Sequence, residues 1–275
     1  MSPRHDLPSG VMVADTITKL GREAEGAVVV SGSHGGRYPG YLAAAAGVRA
    51  VILNDAGVGK DDAGIGALPY LEALGIAAAA VSHRSCRIGD TADMLARGVV
   101  SHVNGPALQA GAAPGMTCRE AAERLREAVH VRASPPKLAE GRSELRAPGA
   151  RRIVLVDSAA MVRPEDAGQI IVTGSHGGLV GGDPAMALRT DGYAAVFNDA
   201  GVGIEEAGIG RLPALDSRGI PAATVAASSA RIGEARSTFE DGVISHANAA
   251  AVRLGARVGA PARDFVLALA GGGGG

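Results

Sequence analysis

The 275-residue sequence predicts an α/β protein, a tandem pair of three-layer α/β/α units, each built on a mostly parallel sheet in a Rossmann-like or caspase-like manner. Two observations carry this expectation. VVVSGSHGG at 28–36 returns as IIVTGSHGG at 170–178, and NDAGVG at 54–59 followed by AGIG at 63–66 returns at 198–203 and 207–210. Residues 51–104 and 195–248 are identical at roughly half their positions, the mark of an internal duplication with pseudo-two-fold character. Short, nearly continuous apolar runs alternate with Ala- and Leu-rich segments, as in strands buried on both faces of a parallel sheet.

The expected order is an N-terminal tail at 1–10, a first repeat at 11–132, a linker at 133–152, a second repeat at 153–270 and a flexible Gly tail at 271–275. In the first repeat the strands are VMVAD (11–15), AVVVSG (27–32), RAVILN (49–54), IAAAAV (76–81) and VVSHV (99–103). IVLVD at 153–157 opens the second repeat as VMVAD opens the first. Asp62 suits a helix N-cap, Ile65, Leu68, Leu71 and Leu74 recur every three residues, and Gly75 ends the run. The second repeat has Ile209, Leu212, Leu215 and Gly219 there. TCREAAERLREAVH (117–130) reads as a helix, and the Pro-, Gly- and charge-rich 133–152 as linker.

Composition narrows the function classes. A 47% hydrophobic content carried by small aliphatic residues, with no Trp and three Phe, offers little surface for stacking bases. Net charge is −1 with the signs mixed, so neither nucleic acid nor a membrane surface is an expected partner. Without a signal-like segment or a ~20-residue apolar run, a soluble cytoplasmic protein is expected. Cys86 and Cys118 face Ala230 and Ala262 in the repeat alignment, so neither belongs to the repeated motifs and no disulfide framework is expected.

The repeated polar motifs all follow strand ends, the edge at which open α/β sheets bind ligands. SGSHGG places His34 beside Ser33, Gly35 and Gly36, and TGSHGG places His176 beside Ser175, Gly177 and Gly178. Their glycine N–H groups suit an oxyanion, and the imidazoles suit general bases. Asp55 and Asp199, preceded by Asn54 and Asn198, end the next strands and are expected to hydrogen-bond His34 and His176; a turn-holding carboxylate is the alternative. Arg87 and Arg231 are candidate clamps for a substrate carboxylate, or structural ion-pair partners of Asp90 and Glu234. Ser85 and Ser229, or a water, are the candidate nucleophiles. Asp15 and Asp157 extend the acidic lining, whereas His102 and His246 read as core histidines. His34, Asp15 and Asp55 match no metal-ligand spacing, and no Walker lysine or dinucleotide fingerprint occurs, so no metal or cofactor is expected. The repeats are not equivalent: the first adds Arg37, Tyr38 and His83, the second Asp183, Arg211 and Arg236.

The order strand–SHGG–helix–strand–NDAG resembles caspase-like peptidases of the CHAT type over about 60 residues of each repeat. The resemblance implies that His34 and His176 occupy the position of that family's base. Its cysteine would fall at Gly57 and Gly201, so thiol chemistry is not implied.

The leading expectation is therefore a metal-independent hydrolase or lyase acting on a small anionic or amide metabolite, with the C–N bond of an amide or cyclic amide favoured. An isomerase or racemase would use the same groups. A non-catalytic anion-binding protein, a pseudo-enzyme subunit, and an assembly module able to form homo-oligomers are the other classes.

Overall fold

The computed structural model describes residues 7–146, 149 and 151–271; the chain start at 1–6 and the Gly tail beyond 271 lie outside them. Two α/β units are present. The first has β1 (Val11–Ala14), β2 (Val28–His34), β3 (Ala50–Asn54), β4 (Ala77–Val81) and β5 (Val100–Val103). The second has β6 (Arg142–Arg146), β7 (Arg152–Val156), β8 (Ile170–His176), β9 (Ala194–Asn198), β10 (Ala222–Val225) and β11 (Ile244–Ala247). The sheets run β1-β2-β3-β4-β5 and β11-β10-β9-β8-β7-β6. β1 to β4 and β7 to β10 are parallel, whereas β5 and β11 pair antiparallel with β4 and β10.

This sequential order dictates where the helices lie. Right-handed crossovers that advance one strand at a time in the same direction place every connection on one face. Accordingly α1 (Arg37–Ala45) and α2 (Ala67–Glu72) share a core with Val29, Val51, Leu53 and Ala78. The opposite face is covered by segments that follow β4: α3 (Thr91–Arg97), α4 (Gly105–Gln109) and α5 (Cys118–Leu125) pack on Val28, Val30, Ile52 and Ala79. The second unit repeats this with α6 (Arg211–Asp216) on one face and α7 (Ala235–Glu240), α8 (Ala249–Arg253) and α9 (Ala262–Ala270) on the other. Neither sheet contains the reversal of strand order that opens a crevice in doubly wound folds.

Three local expectations change. Asp62 is not a helix cap: Asp61 and Asp62 are left-handed (φ 53° and 54°), and the helix begins only at Ala67. The helix expected over 117–130 is α5 alone, opened by a capping box in which Glu120 N–H donates to Thr117 Oγ1 and Thr117 N–H to Glu120 Oε2. Inside the expected linker, β6 adds an antiparallel edge to β7, pinned by a two-pronged bond from Arg142 to the fully buried Asp166. No helix among the described residues is long and apolar enough to cross a membrane.

The two units meet through their NDAGVG loops. Asp55 Oδ1 accepts from Gly57 N–H (3.2 Å) and His83 N–H (2.9 Å), and Asp199 Oδ1 accepts from Gly201 and Ala227 N–H (2.9 Å each). These bonds hold tight turns in which Ala56, Val58, Ala200 and Val202 all take positive φ, a conformation that costs an L residue about 1–2 kcal/mol. A Cβ on Gly57 would lie 2.7 Å from the Cα of Gly201, so the loops touch backbone to backbone. Reciprocal hydrogen bonds flank the contact, Lys60 N–H to Ala227 O and Ile204 N–H to His83 O. Ala56, Ile88, Ala200 and Ile232 form its apolar centre.

Candidate functional site

A cleft of about 100 Å³ opens between the units. At ~10–15 Å³ for each water-sized group, it holds about seven to ten such groups, the scale of a small metabolite. Its walls are related pairs: Thr16 with Ser158, Ile17 with Ala159, Ser33 with Ser175 and His34 with His176. The remainder of the wall differs between the units. Tyr38, Pro39 and Leu42 come from α1, whereas Val180, Met186, Leu188, Arg189 and Arg211 come from the second unit.

A bulge presents each histidine. β2 pairs with β3 in register up to Val30↔Ile52. An unbroken register would set Gly32 against Asn54, but His34 pairs there instead. β8 and β9 show the same shift between Val172 and His176. Extra residues on one strand bend it and re-aim its side chains. The ring of each histidine then folds back over its own Gly-Gly turn. Gly36 N–H donates to His34 Nδ1 and Gly178 N–H to His176 Nδ1, both at 3.1 Å. A Cβ at Gly36 would sit 2.7 Å from the His34 ring, which is why that position carries glycine.

These bonds define the chemistry of the rings. Because Nδ1 accepts, the neutral imidazole carries its proton on Nε2. Burial holds His34 down to about 4 from an ordinary 6.5. His176 is pushed well below its ordinary value by burial first, then by the positive charge of Arg211 and by His34. Both rings are therefore neutral near pH 7. No hydrogen bond from either Nε2 is present among the described residues, and neither atom is a buried orphan.

Glu140, in the segment that joins the units, also lines the cleft. Asp157 accepts from Gly141 N–H at 2.6 Å and draws that segment in. Burial and the nearby Asp157 raise the Glu140 carboxyl to about 7, against a lowering bond from Tyr38. Sequence reasoning passed over Glu140 because it sits in a Pro- and charge-rich stretch that reads as solvated linker.

Most of the sequence-derived site residues do other work. The expected His34–Asp55 and His176–Asp199 bonds are not formed. Asp55 Oδ1 instead receives His83 Nδ1–H at 2.7 Å, and its Oδ2 receives Ser101 Oγ–H at 2.9 Å; in the second unit Ala227 stands where His83 does. The Asp55 carboxyl is held below its ordinary value by these bonds to His83 and Ser101, which outweigh its burial. The glycine N–H groups are already bonded: Gly35 and Gly177 N–H donate to Asn54 O and Asn198 O (2.7 Å each), and Gly36 and Gly178 N–H to the imidazoles. Asn54 and Asn198 are buried and receive the Ala56 and Ala200 N–H groups of the turns.

The Ser85 and Ser229 hydroxyls are engaged by the backbone. They donate to Ser82 O and Ala226 O and accept from Val99 and Val243 N–H. Arg87 and Arg231 are not free clamps. Each bonds its own Asp90 or Glu234 and reaches across the units to Glu205 or Asp61 (2.7 and 2.8 Å). Ser33 and Ser175 stay in the cleft, their Oγ atoms accepting from Ile17 and Ala159 N–H. His102 contacts Ser101 Oγ at 3.0 Å, and His246 Nδ1 is buried without a hydrogen-bond partner among the described residues. Both thiols are buried, and burial pushes each up to about 12. Among the described residues, no group of three His, Cys, Asp or Glu side chains is placed to hold a metal ion.

Comparison with protein-family models, with curated proteins and with solved structures returned no match. The geometry of the cleft is thus the basis for a functional reading.

Proposed function

We propose that the chain is an enzyme that binds a small carbonyl compound in the inter-unit cleft and carries out acid–base chemistry on it. The observation that carries this reading is the convergence of His34 and His176 from the two units on one cleft, with both Nδ1 atoms already bonded. Two neutral Nε2–H donors are then left to polarise a carbonyl oxygen or hold the oxyanion that develops from it. Neutral imidazole suits this role, since it donates a hydrogen bond without surrendering a full proton. Glu140, poised near neutrality on the same wall, is the group that exchanges a proton with substrate or water.

Hydrolysis of the C–N bond of an amide or cyclic amide is the form of this chemistry in which Glu140 activates water. Proton transfer next to a carbonyl, as in an isomerase or racemase, is the form in which it takes a substrate proton. Both walls come from one chain, so neither form requires an oligomer. Screening purified protein against small amides, cyclic amides and carbonyl compounds with an exchangeable α-proton tests the reading. Turnover should appear with one class and be lost in the H34Q/H176Q double variant; turnover unchanged in that variant rejects the roles given to the imidazoles.

Binding without turnover is the second reading. It is favoured by the engagement of both candidate serines, whose hydroxyls are bonded to backbone carbonyls, and by the burial of both thiols. Thermal stabilisation by a ligand with no product formed would select it.

A further inference from the structure

Arg211 occupies an unusual place. It opens α6, and its side chain is only 4% exposed although it carries a charge. No carboxylate among the described residues lies within ion-pair distance of it. Nε donates to Gly178 O at 3.0 Å, and Nη1 donates to the carbonyls of Met186 and Ala187. No hydrogen bond of Nη2 is present among the described residues, and that atom is not a buried orphan. The guanidinium also lies 5.0 Å from the centre of the Phe197 ring. Backbone carbonyls and an aromatic ring therefore fix its plane without cancelling its charge.

The fold does not require this cation. The aligned position in the first unit is Ala67, and Leu53 stands where Phe197 does. Arg211 belongs to the cleft, beside His176, whose ring its charge helps keep neutral. Burial pulls the guanidinium down to about 10, so it stays charged near neutrality, and among the described residues no carboxylate offsets that charge. At the mouth stand Lys19 and Arg189, both exposed and neither in an ion pair among the described residues.

We infer that Arg211 is the anchor for a carboxylate on the ligand, so that the cleft takes small monocarboxylates whose carbonyl group lies against His34 and His176. This rests on reading the cleft as the ligand site. A planar guanidinium matches a carboxylate in shape, and one buried cation balances one negative charge. A phosphate dianion would bring a second charge that no other buried cation in the wall offsets.

Saturation-transfer NMR on the full chain tests the anchor with acetate, its uncharged isostere acetamide, and inorganic phosphate. A charge-assisted bond is worth about 1.5–3 kcal/mol, so acetate should bind about tenfold or more tighter than acetamide and ahead of phosphate. R211M should bring acetate to the level of acetamide, with R211K between. Should R211M fail to fold, the wild-type ranking and R211K decide. Equal binding of acetate and acetamide, preference for phosphate, or acetate binding unchanged in folded R211M or in R211K would overturn the inference. Turnover is read separately. An intact acetate preference with turnover indifferent to H34Q/H176Q refutes the acid–base reading alone; turnover of uncharged amides without acetate preference refutes the anchor alone.

Discussion

Replacing His34 by Gln removes one titrating ring from the cleft and should flatten the acid side of the stability curve. The ring titrates near 4 in the folded chain and near 6.5 when exposed. Between those values the unfolded chain binds a proton that the folded chain refuses, so stability falls as pH falls. It is fully present above 6.5 and lost progressively down to about 4. At about 1.4 kcal/mol per pH unit, the whole loss is about 3 kcal/mol, of which about 2 kcal/mol has gone by pH 5. Glu140 acts with the opposite sign. Its raised carboxyl takes up a proton on folding as pH drops through about 7, which favours the folded chain toward 4.5. Raw stability curves mix the two groups, whereas the difference between wild type and H34Q isolates the imidazole. Urea unfolding of both proteins at pH 7.5, 6 and 5 measures it. The wild-type advantage over H34Q should shrink by about 2 kcal/mol across that range. A difference that stays flat with pH would show that His34 is not held neutral by burial, and would refute the description of the ring as a neutral donor.

Other substitutions probe how the units dock and which polar groups are structural. G57A places a Cβ 2.7 Å from the Gly201 backbone at a residue with φ of 77°, so it should destabilise the chain by about 3 kcal/mol or more and open the inter-unit contact, read by denaturant unfolding and amide exchange at 54–59 and 198–203. H83A should cost only about 1–2 kcal/mol in the same unfolding assay, because Asp199 is already held by backbone N–H groups with Ala227 opposite it; a loss as large as that expected for an orphaned buried carboxylate would contradict this. The S85A/S229A pair should leave turnover or ligand binding within twofold of wild type, since both hydroxyls only tie adjacent loops together; loss of activity in a folded variant would reinstate them as nucleophiles.

The architecture was legible because its signals are local. The apolar runs at 27–32, 49–54 and 76–81 coincide with β2, β3 and β4 to within a few residues, since strands buried on both faces admit little else. β6 was hidden because an edge strand of alternating charge, RSELR, reads as linker. Of the repeated motifs, SHGG brings Ser33, His34, Ser175 and His176 to the cleft, whereas NDAGVG has a structural part that its residues did not announce. NDAGVG is retained in both repeats where it forms the strained loops that dock one unit on the other, a role no single repeat reveals. Arg87 and Arg231 likewise serve the docking, and their cross-unit partners Glu205 and Asp61 lie 118 and 170 residues away. His34 and His176 stood out in the sequence because a tight turn has no need of an imidazole, and both line the cleft. Their partners were not, since a bulge rather than the simple strand register decides where the rings point. The signal for Arg211 was present as a departure from the repeat, AGIGR in place of AGIGA, but only the fold shows that this position is buried beside the cleft.

The most direct test of the two-imidazole cleft is long-range ¹H–¹⁵N correlation NMR of histidine-labelled protein, with His34 and His176 assigned through H34Q and H176Q. Both rings should be neutral with the proton on Nε2 from pH 7.5 down to about 5, and both Nε2 signals should shift together when a cleft ligand binds. A ring that is charged at pH 6.5, that carries its proton on Nδ1, or that ignores a ligand its counterpart senses would contradict the shared site.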